Sequence, residues 1–310
     1  MPVIAVVIPC YNEALTIGAV VEGFRKSLPE ASIYVFDNSS SDKTSDIARA
    51  AGAEVRPVPT RGKGEVVRAM FRDVDADVFV MVDGDQTYPP ERVRDLIQPV
   101  LEGRADMVVA TRLQQHNAAG FRPFHVLGNQ MVLKLINALF DVQFSDVLSG
   151  YRAFSRRFVK TMPVLSRGFE IESEITLHAL EHRVPVLEIP IAYGTRPHGS
   201  ESKLQTFRDG CRVIATIVRI YKDYRPLRFF GLPGAVLLII GVAIGFVVVD
   251  EFLELGQVVG VARAVFAVFS CLVGMLCIAT ALVLETVNRR AREIYLLVAD
   301  HVISRRDRAP

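Results

Sequence analysis

The chain has 310 residues, half of them hydrophobic, with 36 basic against 34 acidic side chains, so its length allows two domains and its net charge of +2 argues against a dedicated nucleic-acid binder. Cys10, Cys211, Cys271 and Cys277 show no Cys-x-x-Cys spacing; neither a disulfide framework nor a zinc site is implied, and reduced thiols are expected. The opening MPVIAVVIPCYNE is apolar but short and lacks a basic flank, which makes it a first strand rather than a signal peptide.

Up to about residue 110 the pattern alternates. Short β-rich runs at Val3–Ile8, Ile33–Phe36, Glu54–Val58, Val78–Val82 and Met107–Ala110 are separated by helical patterns starting at Ala14, Ser41, Gly64 and Pro90. Alternation of this kind predicts an α/β domain with a mostly parallel, doubly wound sheet. Asp37 falls at the end of one strand, and Ser41 or Asp42 is placed to cap the next helix. From Leu113 to Thr195 the pattern is mixed: a loop, a helix around Leu127 to Phe140, the turn SDVLSGYR, a helix near Glu170 to His182, and a last strand or two in VPVLEIPIAYGT.

The C-terminal third changes character. Thr206 to Tyr224 gathers Phe207, Ile214, Ile217, Val218 and Tyr221 on one helical face with arginines and a lysine on the others. An amphipathic core helix and a helix lying in a membrane interface both fit the pattern, and its position before an apolar span favours the interface. Phe229–Val249 and Ala264–Leu284 are uncharged and apolar, and at ~1.5 Å per residue each reaches about 31 Å, enough for a bilayer core. Arginines flank the pair on the outside, including Arg289, Arg290 and Arg292, while the link between them is mainly acidic. The positive-inside rule then puts both termini and the N-terminal domain in the cytoplasm, at the inner membrane. The expected organisation is an α/β domain over residues 1–205, a juxtamembrane helix over 206–228, a hairpin over 229–285 (spans 229–249 and 264–284) and a basic tail over 286–310.

Within VFVMVDGDQTYPPE the apolar run Val78–Val82 ends directly on Asp83 and Asp85. Ligands of open α/β sheets bind outside the carboxyl ends of the strands, and two carboxylates there suit a hard cation that holds phosphate oxygens. Asp and Gly are also ordinary turn residues, so a solvated turn fits the same letters.

VVIPCYNEALTI, FDNSSSDKT, RGKGEVVRA, VMVDGDQTYPP, VVATRL, SDVLSGYRAF and RPHGSESKL succeed one another in this order. Over about residues 3–205 this set resembles the family 2 glycosyltransferases of GT-A (Rossmann-like) fold, and among them the polyprenyl-phosphate glycosyltransferases of the dolichol-phosphate mannose synthase and undecaprenyl-phosphate glucosyltransferase type. The membrane hairpin is similar to that of the bacterial glucosyltransferase members. The resemblance implies that Pro9, Tyr11, Glu13 and Asp37 hold the base and ribose of a nucleotide sugar. Lys63 would lie by the donor's diphosphate or sugar, and Asp83 and Asp85 would bind Mg²⁺ or Mn²⁺ against that diphosphate. Where mannose-synthase relatives carry a further metal-binding glutamine, this chain has Thr87, with Gln86 one position earlier, so the third protein ligand stays open. Arg112, Arg122 and Arg196 match positions that contact an acceptor phosphate, and Ser202 and Lys203 close the last motif.

A lipid monophosphate, with a second pKa near ~6, is largely dianionic near neutral pH and needs no general base; it needs cations that position two phosphate groups. The implied activity is inverting, metal-dependent transfer of a hexose to a membrane polyprenyl phosphate, with UDP-glucose and undecaprenyl phosphate favoured, serving cell-envelope glycosylation such as lipopolysaccharide modification. GDP-mannose is the alternative donor. Self-association into a homo-oligomer is left open. A processive polysaccharide synthase would carry Gln-x-x-Arg-Trp, and the chain has no tryptophan. A non-catalytic nucleotide-binding module would be expected to lose the Asp pair or the arginines. Two further clusters stay ambiguous: Glu170, Glu172 and Glu174 fit either sugar binding or a solvated helix face, and His178 with His182 has zinc-helix spacing but no third ligand in the motif.

Overall fold

In the computed structural model, residues 1–112, 133–140, 142–168, 170–194, 197, 206–258 and 260–304 are described. The chain divides into two compact units, Met1–Ile217 together with the chain from Val298 on, and Val218–Leu297.

The first unit is built on a seven-stranded sheet of order β3-β2-β1-β4-β6-β5-β7. Its strands are β1 (Ile4–Cys10), β2 (Ser32–Asp37), β3 (Glu54–Pro57), β4 (Val78–Met81), β5 (Met107–Arg112), β6 (Arg152–Ser155) and β7 (Val186–Ile191). The helices are α1 (Ile17–Ser27), α2 (Thr44–Ala50), α3 (Lys63–Asp73), α4 (Val93–Leu101, after a 3₁₀ turn at Pro90–Arg92), α5 (133–140), α6 (Arg156–Thr161), α7 (Ile171–Glu181) and the start of α8 (Thr206–Tyr224), whose residues from Val218 on belong to the second unit.

Because successive strand residues face opposite ways, β1 is buried on both sides. Val6 and Ile8 pack with Val35, Val80, Phe24 and Leu96 on the α1/α4 face, whereas Ala5 and Val7 pack with Phe79, Met81, Phe154, Phe158 and Ile175 on the α3/α6/α7 face. Each large side chain buried this way contributes about 1.5–3 kcal/mol relative to exposure.

Several elements depart from the sequence expectation, among them α1, which starts at Ile17 rather than Ala14. SDVLSGYR reads as a turn, yet its last residue opens β6, which runs antiparallel to both β4 and β5. Four residues starting on an arginine carry too little alternation to show as a strand. The consequence is topological: with Met81 opposite Arg152, the loop that enters β6 lies at the same sheet edge as the carboxyl ends of β1, β2, β4 and β5. The α2 helix starts at Thr44, later than expected, and Asp42 organises its entry by accepting from Thr44 N–H at 3.0 Å and from Ala14 N–H at 3.2 Å.

The second unit contains α9 (Leu232–Leu255), preceded by a π turn at Leu227–Gly231, and most of α10 (Val261–Ser304). Two stretches, Leu227–Leu255 and Val261–Tyr295, are long and apolar enough to cross a membrane. Both helices outrun the expected spans because no breaker interrupts them: α9 continues to Gly256, whose φ of 68° ends it in the left-handed conformation, and α10 continues through the arginine-rich segment. Ile239, Phe246 and Leu276 are each about 70% exposed, an apolar outer surface that suits lipid.

The two helices meet through small residues. A Cβ on Gly241 would stand 2.8 Å from Ala267 O and 2.9 Å from Cys271 N, and one on Gly274 would stand 2.7 Å from Gly234 O. Backbone-to-backbone contact of this kind supplies dispersion where lipid offers no hydrophobic drive. Gly241→Leu is therefore expected to splay the hairpin and destabilise it by about 1–3 kcal/mol. Spin labels placed on the two helices should report a longer separation in the variant; an unchanged distance would contradict the contact.

Candidate functional site

Five loops converge on one edge of the sheet. After β1, Asn12 adopts a left-handed φ of 52° and laces this turn to the one after β2: Asn12 N–H donates to Ser40 Oγ (2.9 Å) and Ser41 N–H donates to Asn12 Oδ1 (2.8 Å). Glu13, 9% exposed, is tied from its own N–H to Thr44 Oγ1 at 2.8 Å. Asp37 staples its turn, accepting from Ser40 N–H (3.1 Å) and Ser45 Oγ (2.7 Å). Asn38 then reaches the next loop, accepting from Gly62 N–H at 2.7 Å. Pro9 is the last but one residue of β1, opposite Phe36, and the guanidinium of Arg61 lies 4.7 Å from the ring centre of the nearby Tyr11. Glu13 and Asp37 thus have structural partners whatever else they bind.

Asp83 and Asp85 stand just beyond β4, as expected. Asp85 is 3% exposed and its Oδ1 accepts from Thr87 Oγ1 (2.5 Å) and Thr87 N–H (3.2 Å). Gln86 between them has a φ of 61°, unusual for a residue with a Cβ, and its side chain is exposed. Thr87 therefore sits on Asp85, whereas Gln86 points to solvent. Gly84 is required here because a Cβ would meet Cys10 Sγ at 2.7 Å, and Gly150 because a Cβ would collide with the Asp83 carboxylate.

Lys63, the first residue of α3, places Nζ 2.6 Å from Asp83 Oδ1 and 2.5 Å from Glu172 Oε1. Burial alone would pull its ammonium down, but Asp83 and Glu172 together hold it above its ordinary range. The three glutamates of FEIESE separate by role. Glu172 grips Lys63, while Glu174 accepts from Leu165 N–H and Ser166 N–H at 2.8 Å each, and Glu170 accepts from Gly168 N–H at 3.1 Å. None of them forms a solvated face.

Arg112 ends β5 with its guanidinium forked on Asp146: Nε donates to Oδ2 at 2.6 Å and Nη2 to Oδ1 at 2.8 Å. Tyr193 lies under the guanidinium, 5.5 Å from ring centre to carbon. Asp146 is itself fixed, for its own N–H donates to Glu188 (3.1 Å) and its Oδ1 also accepts from Leu148 N–H (3.1 Å). Arg152 shapes the same loop from below. It is fully buried and donates to Ser149 O and Val147 O at 2.8 Å each and to Thr176 Oγ1 at 2.9 Å. Tyr88 completes the wall, accepting from Gly150 N–H at 3.1 Å.

The edge thus brings together Pro9, Tyr11, Glu13, Asp37, Lys63, Asp83, Asp85 and Arg112. Arg122, Arg196, Ser202 and Lys203 lie outside the described residues. Sequence reasoning assigns nothing to Asp146, Arg152 and Tyr193, although Asp146 and Arg152 fall inside the motif SDVLSGYR. Nothing in the letters pairs Asp146 with Arg112, 34 residues away. His178 and His182 pack ring to ring at 4.3 Å, and burial, then the neighbouring His182, hold His178 down at about 3. The pair is a core contact, and among the described residues no cluster of three or more metal-binding side chains occurs.

Two carboxylates are nevertheless a fitting donor set for Mg²⁺ or Mn²⁺. Such ions keep waters and substrate phosphates in their shells rather than demanding an all-protein cage, and the missing Cβ of Gly150 is what lets the Asp83 carboxylate sit where it does.

Comparison with known proteins gives the same direction. The model of the family "Glycosyl transferase family 2" matches residues 5–162. Glycosyltransferase AglJ of Haloferax volcanii is 31% identical over 280 residues, which cover 88% of this chain and 92% of that protein. A dolichyl-phosphate hexose transferase of the same organism is 27% identical over 72% of this chain and 95% of its own length. Among solved structures, glucosyl-3-phosphoglycerate synthase of Mycobacterium tuberculosis, in complex with Mn²⁺, UDP-glucose and phosphoglyceric acid, superposes with a TM-score of 0.59. It is 25% identical, and the match covers 71% of this chain and 80% of that one.

Proposed function

This chain belongs to glycosyltransferase family 2, and on that premise we propose that it transfers a hexose from a nucleotide sugar to a membrane polyprenyl phosphate, with inversion at the anomeric carbon. The observation that carries the reading is the meeting of a carboxylate pair and a half-buried, oriented arginine at one sheet edge, in a chain that also has two helices able to cross a membrane. The name of the dolichyl-phosphate relative supports the acceptor class. UDP-glucose is the favoured donor, supported by the hairpin's resemblance to glucosyltransferase members and by the ligands of the mycobacterial neighbour.

In this reading Asp83 and Asp85 hold Mg²⁺ or Mn²⁺, which would supply charge neutralisation on the donor diphosphate. Tyr11, Glu13 and Asp37 line the place of the nucleoside, with Pro9 shaping the turn. Arg112, with Arg122, Arg196 and Lys203, positions the acceptor phosphate, whose own oxygen attacks the sugar. The bond to the nucleotide breaks on the opposite face as the new one forms, so no covalent enzyme intermediate is needed. In the same reading both termini and the first unit are cytoplasmic, at the inner membrane, which the arginine-rich flanks support.

The test is a panel of nucleotide sugars offered with undecaprenyl phosphate to the full chain in detergent. An α-linked donor should yield a β-linked lipid-phosphate sugar by NMR, with UDP-glucose preferred. An α-linked product would refute single displacement, and a preference for GDP-mannose would defeat the uridine assignment. No transfer to any lipid phosphate would overturn the acceptor class.

A further inference from the structure

The proposed transfer gives Lys63 a place near the donor but does not explain why its ammonium is shared between two carboxylates, one of which belongs to the metal pair. The sharing is built in. Backbone on either side of Lys63 is pinned, Gly62 N–H to Asn38 Oδ1 (2.7 Å) and Gly64 N–H to Arg167 O (3.1 Å). Neither glycine admits a side chain, since Cβ atoms there would collide with Arg167 O and Ser166 O. Only the flexible stem of Lys63 can move. Its two partners differ in access: Glu172 is 5% exposed at the side chain and held on α7, whereas Asp83 is 26% exposed and faces the place where a cation would arrive.

The charges set cation and lysine against each other. Asp83, Asp85 and Glu172 outnumber Lys63 and the Arg152 guanidinium that also acts on Glu172, so the cluster is net negative when all are ionised, which attracts a divalent ion. That ion meets an ammonium already seated on Asp83. If the ammonium left Asp83 with no other anion to go to, a buried charge would be stranded, which is strongly unfavourable. Glu172 removes that obstacle, because it already holds the other side of the ammonium.

We infer that Lys63 competes with the divalent cation for Asp83, and that Glu172 is the positioning residue that retains Lys63 beside the donor diphosphate when the cation takes over. This rests on the reading of Asp83 and Asp85 as the metal pair. It makes cation and nucleotide mutually supportive, since the diphosphate gives the displaced ammonium a second anion to face, and coupling of this kind is reciprocal.

The experiment is a Mn²⁺ titration of the full chain in detergent, read by the EPR signal of free Mn²⁺, with and without UDP and with no lipid or sugar present. Lys63→Met should tighten Mn²⁺ binding in the absence of UDP by about tenfold, the loss of one competing unit charge in a half-open site, and should shrink the further gain that UDP brings. Glu172→Gln should weaken Mn²⁺ binding several-fold, because the ammonium then loses the carboxylate that draws it away from Asp83. In the Lys63→Met background the Glu172→Gln effect should shrink to the direct pull of the lost charge, since the larger part of it acts through the lysine, and a purely structural role would keep its full size in both backgrounds. Lys63→Gln, which keeps length and a donor, serves as the second variant should Lys63→Met fail to fold by circular dichroism, and the same signs are expected. Unchanged or weaker Mn²⁺ binding in the lysine variants, or a Glu172→Gln effect of equal size in both backgrounds, would overturn the inference. Asp85→Ala run alongside separates the two levels. If it abolishes Mn²⁺ binding while the lysine variants change nothing, only the competition fails; if Mn²⁺ binding survives it, the metal reading fails as well.

Discussion

Asp85→Ala is expected to lower sugar transfer by about a thousandfold while the first unit stays folded. Asp85 is almost fully enclosed, and it organises a two-residue turn in which Thr87 N–H and Oγ1 both donate to its Oδ1. Losing that turn should cost about 1–2 kcal/mol, an amount a domain with two large apolar clusters tolerates. The chemical loss is of another order, because the carboxylate is assigned to a cation that offsets charge on the leaving diphosphate. Asp85→Asn sharpens the point: it keeps the shape and an acceptor for Thr87 but removes the charge, so it should melt close to the parent chain and still fail in transfer. Asp83→Ala should be damaging to a smaller degree, since it also releases Lys63. A transfer assay with a thermal melt of each variant checks both halves of the expectation. Parent-like transfer by Asp85→Asn, or full activity of the parent chain in excess chelator, would remove the metal from the mechanism.

How far the letters alone carry this site depends on the range of each interaction. Val78–Val82 announces a buried strand because every residue is apolar, and Asp83 and Asp85 announce its end, so their place comes from local pattern. The same holds for Tyr11–Glu13 and Asp37, which come after strands of strong apolar character. The apolar spans are legible for the same reason, although their ends are not: α9 stops where Gly256 permits a left-handed residue, and α10 runs on through arginines that favour helix as well as they favour a cytoplasmic flank. What stays hidden depends on pairing across the sheet. β6 is short and begins on Arg152, whose burial is made tolerable by main-chain carbonyls that no one-dimensional pattern reveals. Once β6 is inserted antiparallel between β4 and β5, Asp146 falls beside Arg112 and Gly150 beside Asp83, and the motif SDVLSGYR acquires a purpose its letters do not state. Glu172 is ambiguous in the sequence because helical spacing alone makes three nearby glutamates equivalent, and only the packing of α7 distinguishes the one that meets Lys63 from the two that cap a loop.

Arg112→Lys should cut kcat/KM for the lipid phosphate by about a hundredfold and leave nucleotide binding nearly intact, because lysine keeps the charge and loses the planar fork. The structure adds a reason beyond fork geometry. Asp146 takes Nε and Nη2, which fixes the plane of the guanidinium, and Tyr193 supports its face. A lysine could reach Asp146 with its point charge but would present no defined edge to the acceptor. Asp146→Asn is the complementary change. It leaves the loop contacts from Glu188 in place, weakens the grip on Arg112, and should lower the same parameter about ten- to hundredfold, as loss of an orienting partner commonly does. If Asp146 works only through Arg112, the double variant Arg112→Lys with Asp146→Asn should be little worse than Arg112→Lys alone, since neighbours acting as a unit do not add. The pH profile gives a second discriminant. An acceptor that attacks as its own dianion should show an acid limb near the phosphate's second pKa of ~6, and that limb should stay in place in Asp146→Asn. A limb that disappears in Asp146→Asn would mean that the carboxylate accepts a proton in the reaction. Acceptor kinetics unchanged in both single variants would remove Arg112 from the acceptor site altogether.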